Sequence, residues 1–381
     1  MNSYQRALKN VEQQHLLRSL LNPSQGIDFY SNDYLGFAQN PDLSVAIKTE
    51  YQKTPGNNGA TGSRLLSGNS DYAEKTEQQI AAFHNAECAL VYTSGYTANL
   101  GLISSLATKE TTLVCDRLIH ASLIDGARLG KSERICFQHN NVDDLRNKLH
   151  KVNGQKLVII ESIYSMDGDI APLEEISGIC EQNNAMLIVD EAHAIGIFGE
   201  NGEGLVQKLG LEKKVLARVM TYGKAPGIHG AAVVGPSWIK EYQVNFSRPL
   251  IFSTAPSNHH FASISSMYYQ LPKAVKERDQ LKKIINYFLD KRSKNDLKWL
   301  DSYSHIQSLI IPGNKKVMAV AKKLQKAGIN ALPIRKPSVE EGTERIRFCL
   351  HSYNTREEID LLFQSLNQYH YEQKINYLQF Q

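Results

Sequence analysis

From about residue 70 the chain alternates short, continuous apolar runs with helical stretches. The runs are CALVYT (88–93), TLVCD (112–116), KLVIIES (156–162), AMLIVDE (185–191) and ARVMTYG (217–223). Unbroken apolar runs of this length, separated by helical patterns, predict parallel strands buried on both faces in βα units. Residues 71–85 (DYAEKTEQQIAAFHN) predict a helix with Asp71 as its N-cap. Near the start, Leu8, Val11, Leu16, Leu17, Leu20 and Leu21 fall near one helical face, and Pro23 is expected to stop that helix. This helix is expected to pack on the body or on a partner subunit. From about residue 246 the pattern changes. A Lys-rich helical stretch (274–295), SHIQSLIIPG, the helix KKVMAVAKKLQKAG, the strand RIRFCL (345–350) and the helix 355–369 predict a smaller α+β domain. The expected organisation is an N-terminal helix and segment (1–45), a large α/β domain with a mostly parallel sheet (46–245) and a C-terminal α+β domain (246–381).

Composition narrows the class without naming it. The chain has 381 residues, 42% apolar and 22% charged, as in ordinary globular proteins. Lys+Arg number 43 and Asp+Glu 39, a formal net charge of +4, too balanced to argue for nucleic acid. Cys88, Cys115, Cys136, Cys180 and Cys349 are scattered without C-x-x-C or metal-ligand spacing, so free thiols and no metal are expected. No apolar run approaches the roughly 20 residues that span a bilayer, and the first residues lack a secretory pattern. A cytoplasmic protein without membrane contact is expected.

A sheet of this kind binds ligands beyond the carboxyl ends of its strands, so the polar residues just after each run carry the chemistry. Asp190 ends one run, where a buried carboxylate needs a partner. It reads either as a helix cap or as the partner of a cation such as a protonated pyridine nitrogen. Lys224 leaves the 217–223 run through Gly223. It reads as a surface lysine or as a partly desolvated amine able to form a Schiff base. Thr221 offers a hydroxyl to a phosphate. Ser94, Gly95 and Tyr96 follow another run and bring main-chain N–H groups to a helix start, an anion site. His120 lies beyond a third run and reads either as a core or cap histidine or as a ring placed to stack on a cofactor, and Ser165 lies beyond a fourth, within reach of a phenolic oxygen. Together these groups suit pyridoxal 5'-phosphate (PLP). GNNGATGSR (56–64) lacks the G-K-[ST] of a P-loop, GIFGENGEG (196–204) has the wrong glycine spacing for a dinucleotide loop, and Ser94 is not in a G-x-S-x-G elbow.

Nine blocks in order resemble the α-oxoamine synthases, PLP enzymes of fold type I: SNDYLG (31–36), GATGSRLLSG (59–68), TSGYTANLG, DRLIHASLIDG, SIYSMDGDIAPL, VDEAHAIGIFGENGEG, TYGKAPGIHGAAVVG, FSRPLIFSTA (246–255) and GTERIRFCLHSYNT (342–355). The resemblance covers nearly the whole chain. It implies that an amino acid condenses with an acyl thioester and that CO2 is lost. Short length and GIHGAAVVG favour the branch that joins L-alanine to a pimeloyl thioester in biotin biosynthesis. Asp190-Glu191-Ala192-His193-Ala194 departs from that branch's usual D-D-A-H-G. The glycine- and serine-using branches (5-aminolevulinate synthase, 2-amino-3-ketobutyrate ligase, serine palmitoyltransferase) therefore stay open.

The resemblance implies a role for each matching position. Lys224 carries the cofactor and acts as base, Asp190 holds the ring nitrogen, and His120 stacks on the ring. His193 and Ser165 bond the phenolic oxygen. Gly95, Tyr96 and Thr221 hold the phosphate, and Thr254 reaches the phosphate in a partner subunit, which implies a homodimer. Arg347 grips the substrate carboxylate with help from Asn32. Arg18 meets the distal carboxylate of the acyl chain, and Ser338 stands where relatives commonly have a substrate-touching threonine. The thiol carrier, coenzyme A or acyl carrier protein as a partner, stays open.

Overall fold

All five apolar runs become strands of one seven-stranded sheet: β1 (Cys88–Tyr92), β2 (Thr111–Asp116), β3 (Glu133–Phe137), β4 (Gln155–Glu161), β5 (Ala185–Asp190), β6 (Ala217–Thr221) and β7 (Ala231–Gly235), in the order β1-β7-β6-β5-β4-β2-β3. The computed structural model describes residues 1–20 and 25–379, with side chains as far as residue 368. Strands β3, β2, β4, β5 and β6 pair in parallel. Strand β7 pairs antiparallel to both β6 and β1, so it alone runs in the opposite sense. Leu157, Val158, Ile159, Ile160, Leu187, Ile188 and Val189 are fully buried, which is why those strands read as unbroken apolar runs. The hydrophobic runs did not single out β3 and β7. Strand β3 lies at the edge of the sheet with most of its residues exposed or half-buried, which removes the apolar signal.

The chain forms two compact units. The larger, Leu35–Tyr164 with Ile170–Arg278, contains the seven-stranded sheet. The smaller comprises Met1–Tyr34, Ser165–Asp169 and Asp279–Gln381. It holds a three-stranded antiparallel sheet of Ile306–Ile310, Arg345–Cys349 and Leu332–Ile334, with Arg345–Cys349 in the middle. The five residues 165–169 join it through side chains. Ser308 Oγ donates to Met166 O at 2.7 Å, Ser302 Oγ donates to Gly168 O at 2.8 Å, and Arg345 pairs with Asp167 at 2.5 Å. The expected boundary at 246 falls inside the larger unit, where the helix Asn258–Gln270 packs on the helices Pro41–Tyr51 and Asp71–Phe83.

Two local expectations need correction. The helix at 71 is capped by Ser70, whose side chain accepts from Ala73 N, and Asp71 is its first helical residue. Either residue type can cap; the extended backbone of Ser70 (φ −155°, ψ 155°) decides it. The N-terminal helix is Ser3–Gln13, capped by Asn2, and buries none of its residues. Leu8 and Leu17 are exposed, so the apolar face expected to pack on the body does not do so in the isolated subunit. Leu21 and Pro23 lie outside the described residues.

Candidate active site

In the larger unit the sheet brings its polar residues to one edge. Strands β1, β2, β4, β5 and β6 run in the same sense, so Ser94, His120, Glu161, Asp190 and Thr221 all stand at or just beyond carboxyl ends. Asp190 is 4% exposed. Its Oδ1 accepts from Ala192 N at 2.9 Å, and its Oδ2 accepts from Asn99 Nδ2 at 2.7 Å. Lys224 is half-buried, and its Nζ lies 2.9 Å from Nε2 of buried His193. The motif order therefore places the amine beside the imidazole.

Ser94 caps the helix Gly95–Leu106 through Thr97 N. Helix geometry leaves the N–H groups of Gly95 and Tyr96 without intrahelical acceptors, so they are available to an anion. A Cβ at Gly95 would collide with the Thr221 hydroxyl. Glycine at 95 thus lets the Thr221 hydroxyl close on the start of the helix. The Tyr96 side chain is exposed and donates its hydroxyl to Asp125.

His120 is an unusual N-cap: its Nδ1 accepts from Ser122 N at 3.2 Å and lies 2.7 Å from Ser122 Oγ. The residue is exposed overall, yet its pKa is lowered. Lost solvation of the ring is the largest cause, and the Lys224 charge also lowers it against the opposing charge of Asp190. Glu161, directly across from Asp190 on the neighbouring strand, is 3% exposed. Burial first, and then the Asp190 charge, push its carboxyl well above the usual range, against the opposing charge of Lys224. Sequence reasoning passed over Asn99, Ser122 and Glu161. The available signal for Asn99 was an amide on the buried face of an otherwise apolar helix.

Glu191, one of the two residues that depart from the D-D-A-H-G pattern, has a structural role. Its Oε1 accepts from Leu205 N at 2.7 Å and Val206 N at 3.1 Å, closing the start of the short helix Leu205–Lys208.

In the smaller unit, Arg347 is 7% exposed on the central strand. Its guanidinium donates to Ser165 O at 3.2 Å and to Asn32 Oδ1 at 3.4 Å, while Nε has no partner. Ser165 thus engages through its carbonyl here. Arg18 and Ser338, 320 residues apart, are brought together, with Arg18 donating to Ser338 Oγ at 3.4 Å. Thr254 lies in the larger unit and is exposed; its neighbour Ala255 donates to Gly62 O at 2.9 Å, tying FSTA to the glycine-rich block.

Comparisons with known proteins bear on this arrangement. The aminotransferase class I and II family profile matches residues 24–366. An 8-amino-7-oxononanoate synthase of Emericella nidulans is 39% identical, over 96% of this chain and 94% of that protein. A synthase of the same name from Cellvibrio japonicus is 34% identical over the same shares. Among solved structures, a serine palmitoyltransferase of S. paucimobilis with bound PLP–myriocin superposes with a TM-score of 0.87 at 27% identity, covering 96% of both chains. The 8-amino-7-oxononanoate synthase of Francisella tularensis superposes with a TM-score of 0.79 at 29% identity, covering 92% of this chain and 99% of that one.

The larger unit fits PLP on its own chemistry. It offers an amine beside an imidazole, a buried carboxylate at a strand end, and a helix start onto which a threonine hydroxyl closes. These match the cofactor's aldehyde carbon, ring nitrogen and phosphate.

Proposed function

The chain belongs to the aminotransferase class I and II family, and from that premise we propose that it condenses L-alanine with a pimeloyl thioester. CO2 and the thiol are released, and the product is 8-amino-7-oxononanoate, in biotin biosynthesis. The observation that carries this reading is identity of 34–39% to synthases of that name along nearly the full length of both chains. The serine palmitoyltransferases superpose well but share only 26–29% of their residues with this chain, which supports the cofactor chemistry more than the substrate.

PLP, when bound, supplies an electron sink next to the amino-acid α-carbon. The chain's own residues do the rest. Lys224 is assigned to hold the cofactor and then to take the α-proton as a general base. His193, hydrogen-bonded to Lys224 at 2.9 Å, orients that amine and, with Ser165, serves the phenolic oxygen. Asp190 keeps the ring nitrogen protonated. Gly95, Tyr96 and Thr221 take the phosphate. In the smaller unit, Arg347 and Asn32 are assigned to the substrate carboxylate, and the Arg18–Ser338 pair to the far end of the acyl chain. Exposed Thr254 is assigned to the phosphate in a partner subunit, so the working enzyme is a homodimer acting in the cytoplasm on small-molecule substrates.

The deciding experiment is steady-state turnover with alanine, glycine and serine, each against acetyl, succinyl, pimeloyl and palmitoyl thioesters of coenzyme A and of acyl carrier protein. Alanine with pimeloyl thioester is expected to exceed every other pair. No turnover with that pair, or preference for serine with palmitoyl, overturns the reading.

A further inference from the structure

A chain of hydrogen bonds links the carboxylate at the end of β5 to the histidine beyond β2. Asn99 Nδ2 donates to Asp190 Oδ2 at 2.7 Å and to Ser122 Oγ at 3.0 Å. Ser122 then meets His120 Nδ1 twice, through Oγ at 2.7 Å and through its main-chain N–H at 3.2 Å. Donor chemistry fixes the direction of every link. An ionised carboxylate only accepts, so the amide group of Asn99 facing Asp190 is the NH2. Both of its hydrogens are used, and Ser122 Oγ accepts one of them. The main-chain N–H of Ser122 can only donate, so Nδ1 carries no proton, and the hydroxyl hydrogen of Ser122 is free to point at the same nitrogen. The ring proton is therefore on Nε2.

Two features show that this arrangement is more than filling. Asn99 is 2% exposed, and its Oδ1 has no partner, a cost an apolar residue in this apolar helix would avoid. Ser122 is fully buried, so no water competes with its hydroxyl for Nδ1. We propose that Asn99 and Ser122 are positioning residues that lock His120 as its Nε2–H tautomer and tie the ring's orientation to Asp190. His120 then presents a hydrogen-bond donor, not a base, to any carbonyl or carboxylate oxygen that meets it. Its lowered pKa supports the neutral form. The inference goes beyond the functional reading and does not depend on which amino acid or acyl chain is used.

The test is nitrogen NMR of the holoenzyme labelled with 15N-histidine, with the His120 signals identified by their loss in His120→Gln. At neutral and mildly alkaline pH, Nε2 is expected to be protonated and Nδ1 bare. In Ser122→Ala the main-chain N–H stays on Nδ1, so the Nε2–H form is expected to persist, while the Nδ1 signal shifts as the hydroxyl and its link to Asn99 are lost; kcat is expected to fall about tenfold with cofactor affinity within about threefold. A wild-type ring protonated on Nδ1 overturns the proposal, whether or not the variant folds. A folded Ser122→Ala with an unshifted Nδ1 signal and wild-type kcat overturns it as well. Neither result bears on the substrate panel, so the two readings fail separately.

Discussion

The Nζ of Lys224 lies 2.9 Å from Nε2 of His193, although 31 residues separate them in sequence. The contact joins the end of β6 to the turn after β5, and it places an imidazole where it can guide the amine's proton. The purified enzyme is expected to be yellow, and Lys224→Ala is expected to remove that colour and to lower turnover at least about 10³-fold. Visible absorbance and steady-state rates check this; a coloured, active variant would place the amine elsewhere.

Asp190→Asn keeps the side-chain shape and one acceptor oxygen for Ala192 N, so the fold and most cofactor binding should survive, although its NH2 no longer accepts from Asn99. Without a negative charge the ring nitrogen is no longer kept protonated. Turnover is expected to drop by about 10²-fold or more. The check is kcat alongside a cofactor titration, and near-normal kcat would reassign Asp190.

Gly95→Ala tests the phosphate cradle. The added methyl group collides with the Thr221 hydroxyl, so cofactor affinity should weaken roughly tenfold, as expected when hydrogen bonds to an anion are displaced. Equilibrium titration of the apoenzyme measures it; unchanged affinity would put the phosphate at another helix start.

Arg347→Lys keeps the charge but loses the planar fork that now reaches Ser165 and Asn32. KM for the amino acid should rise about tenfold or more, with a smaller change in kcat. A KM held at the wild-type value would remove Arg347 from carboxylate binding.

Glu191→Gln should change how stability depends on pH. Burial raises the Glu191 carboxyl to about 7, against the opposing pull of the Arg218 charge and the Leu205 and Val206 N–H groups. In the unfolded chain the group titrates near 4.3. Below that pH both states hold the proton. Between about pH 4.3 and 7 only the unfolded state releases it, so wild-type stability falls as pH rises by an amount on the order of 3 kcal/mol, and then levels off. The glutamine variant lacks this fall. Denaturant melts at pH 5 and pH 8 check it, and parallel curves for the two proteins would contradict it.

The sequence alone marked five of the seven strands of the sheet and the polar residues at their ends. Short unbroken apolar runs spaced by helical patterns point to strands covered on both faces, and that burial is what makes Asp190, Thr221 and His120 conspicuous where the runs stop. Edge strand β3 escaped notice because its exposed residues carry no apolar period. Tertiary structure decided whatever depends on distant segments meeting. Ser165–Asp169 reads as a loop of the large domain, yet Ser302, Ser308 and Arg345 bind it into the smaller unit. Glu191 reads as a mark of substrate class, but the N–H groups of Leu205 and Val206 make it a helix anchor. Asn99 reads as one more helical residue until Asp190 and Ser122 close around its amide. Hydrophobic periodicity reports which face of an element is buried. It carries no information about which polar group waits on the other side, and the roles of Asn99, Ser122 and Glu191 rest on that pairing.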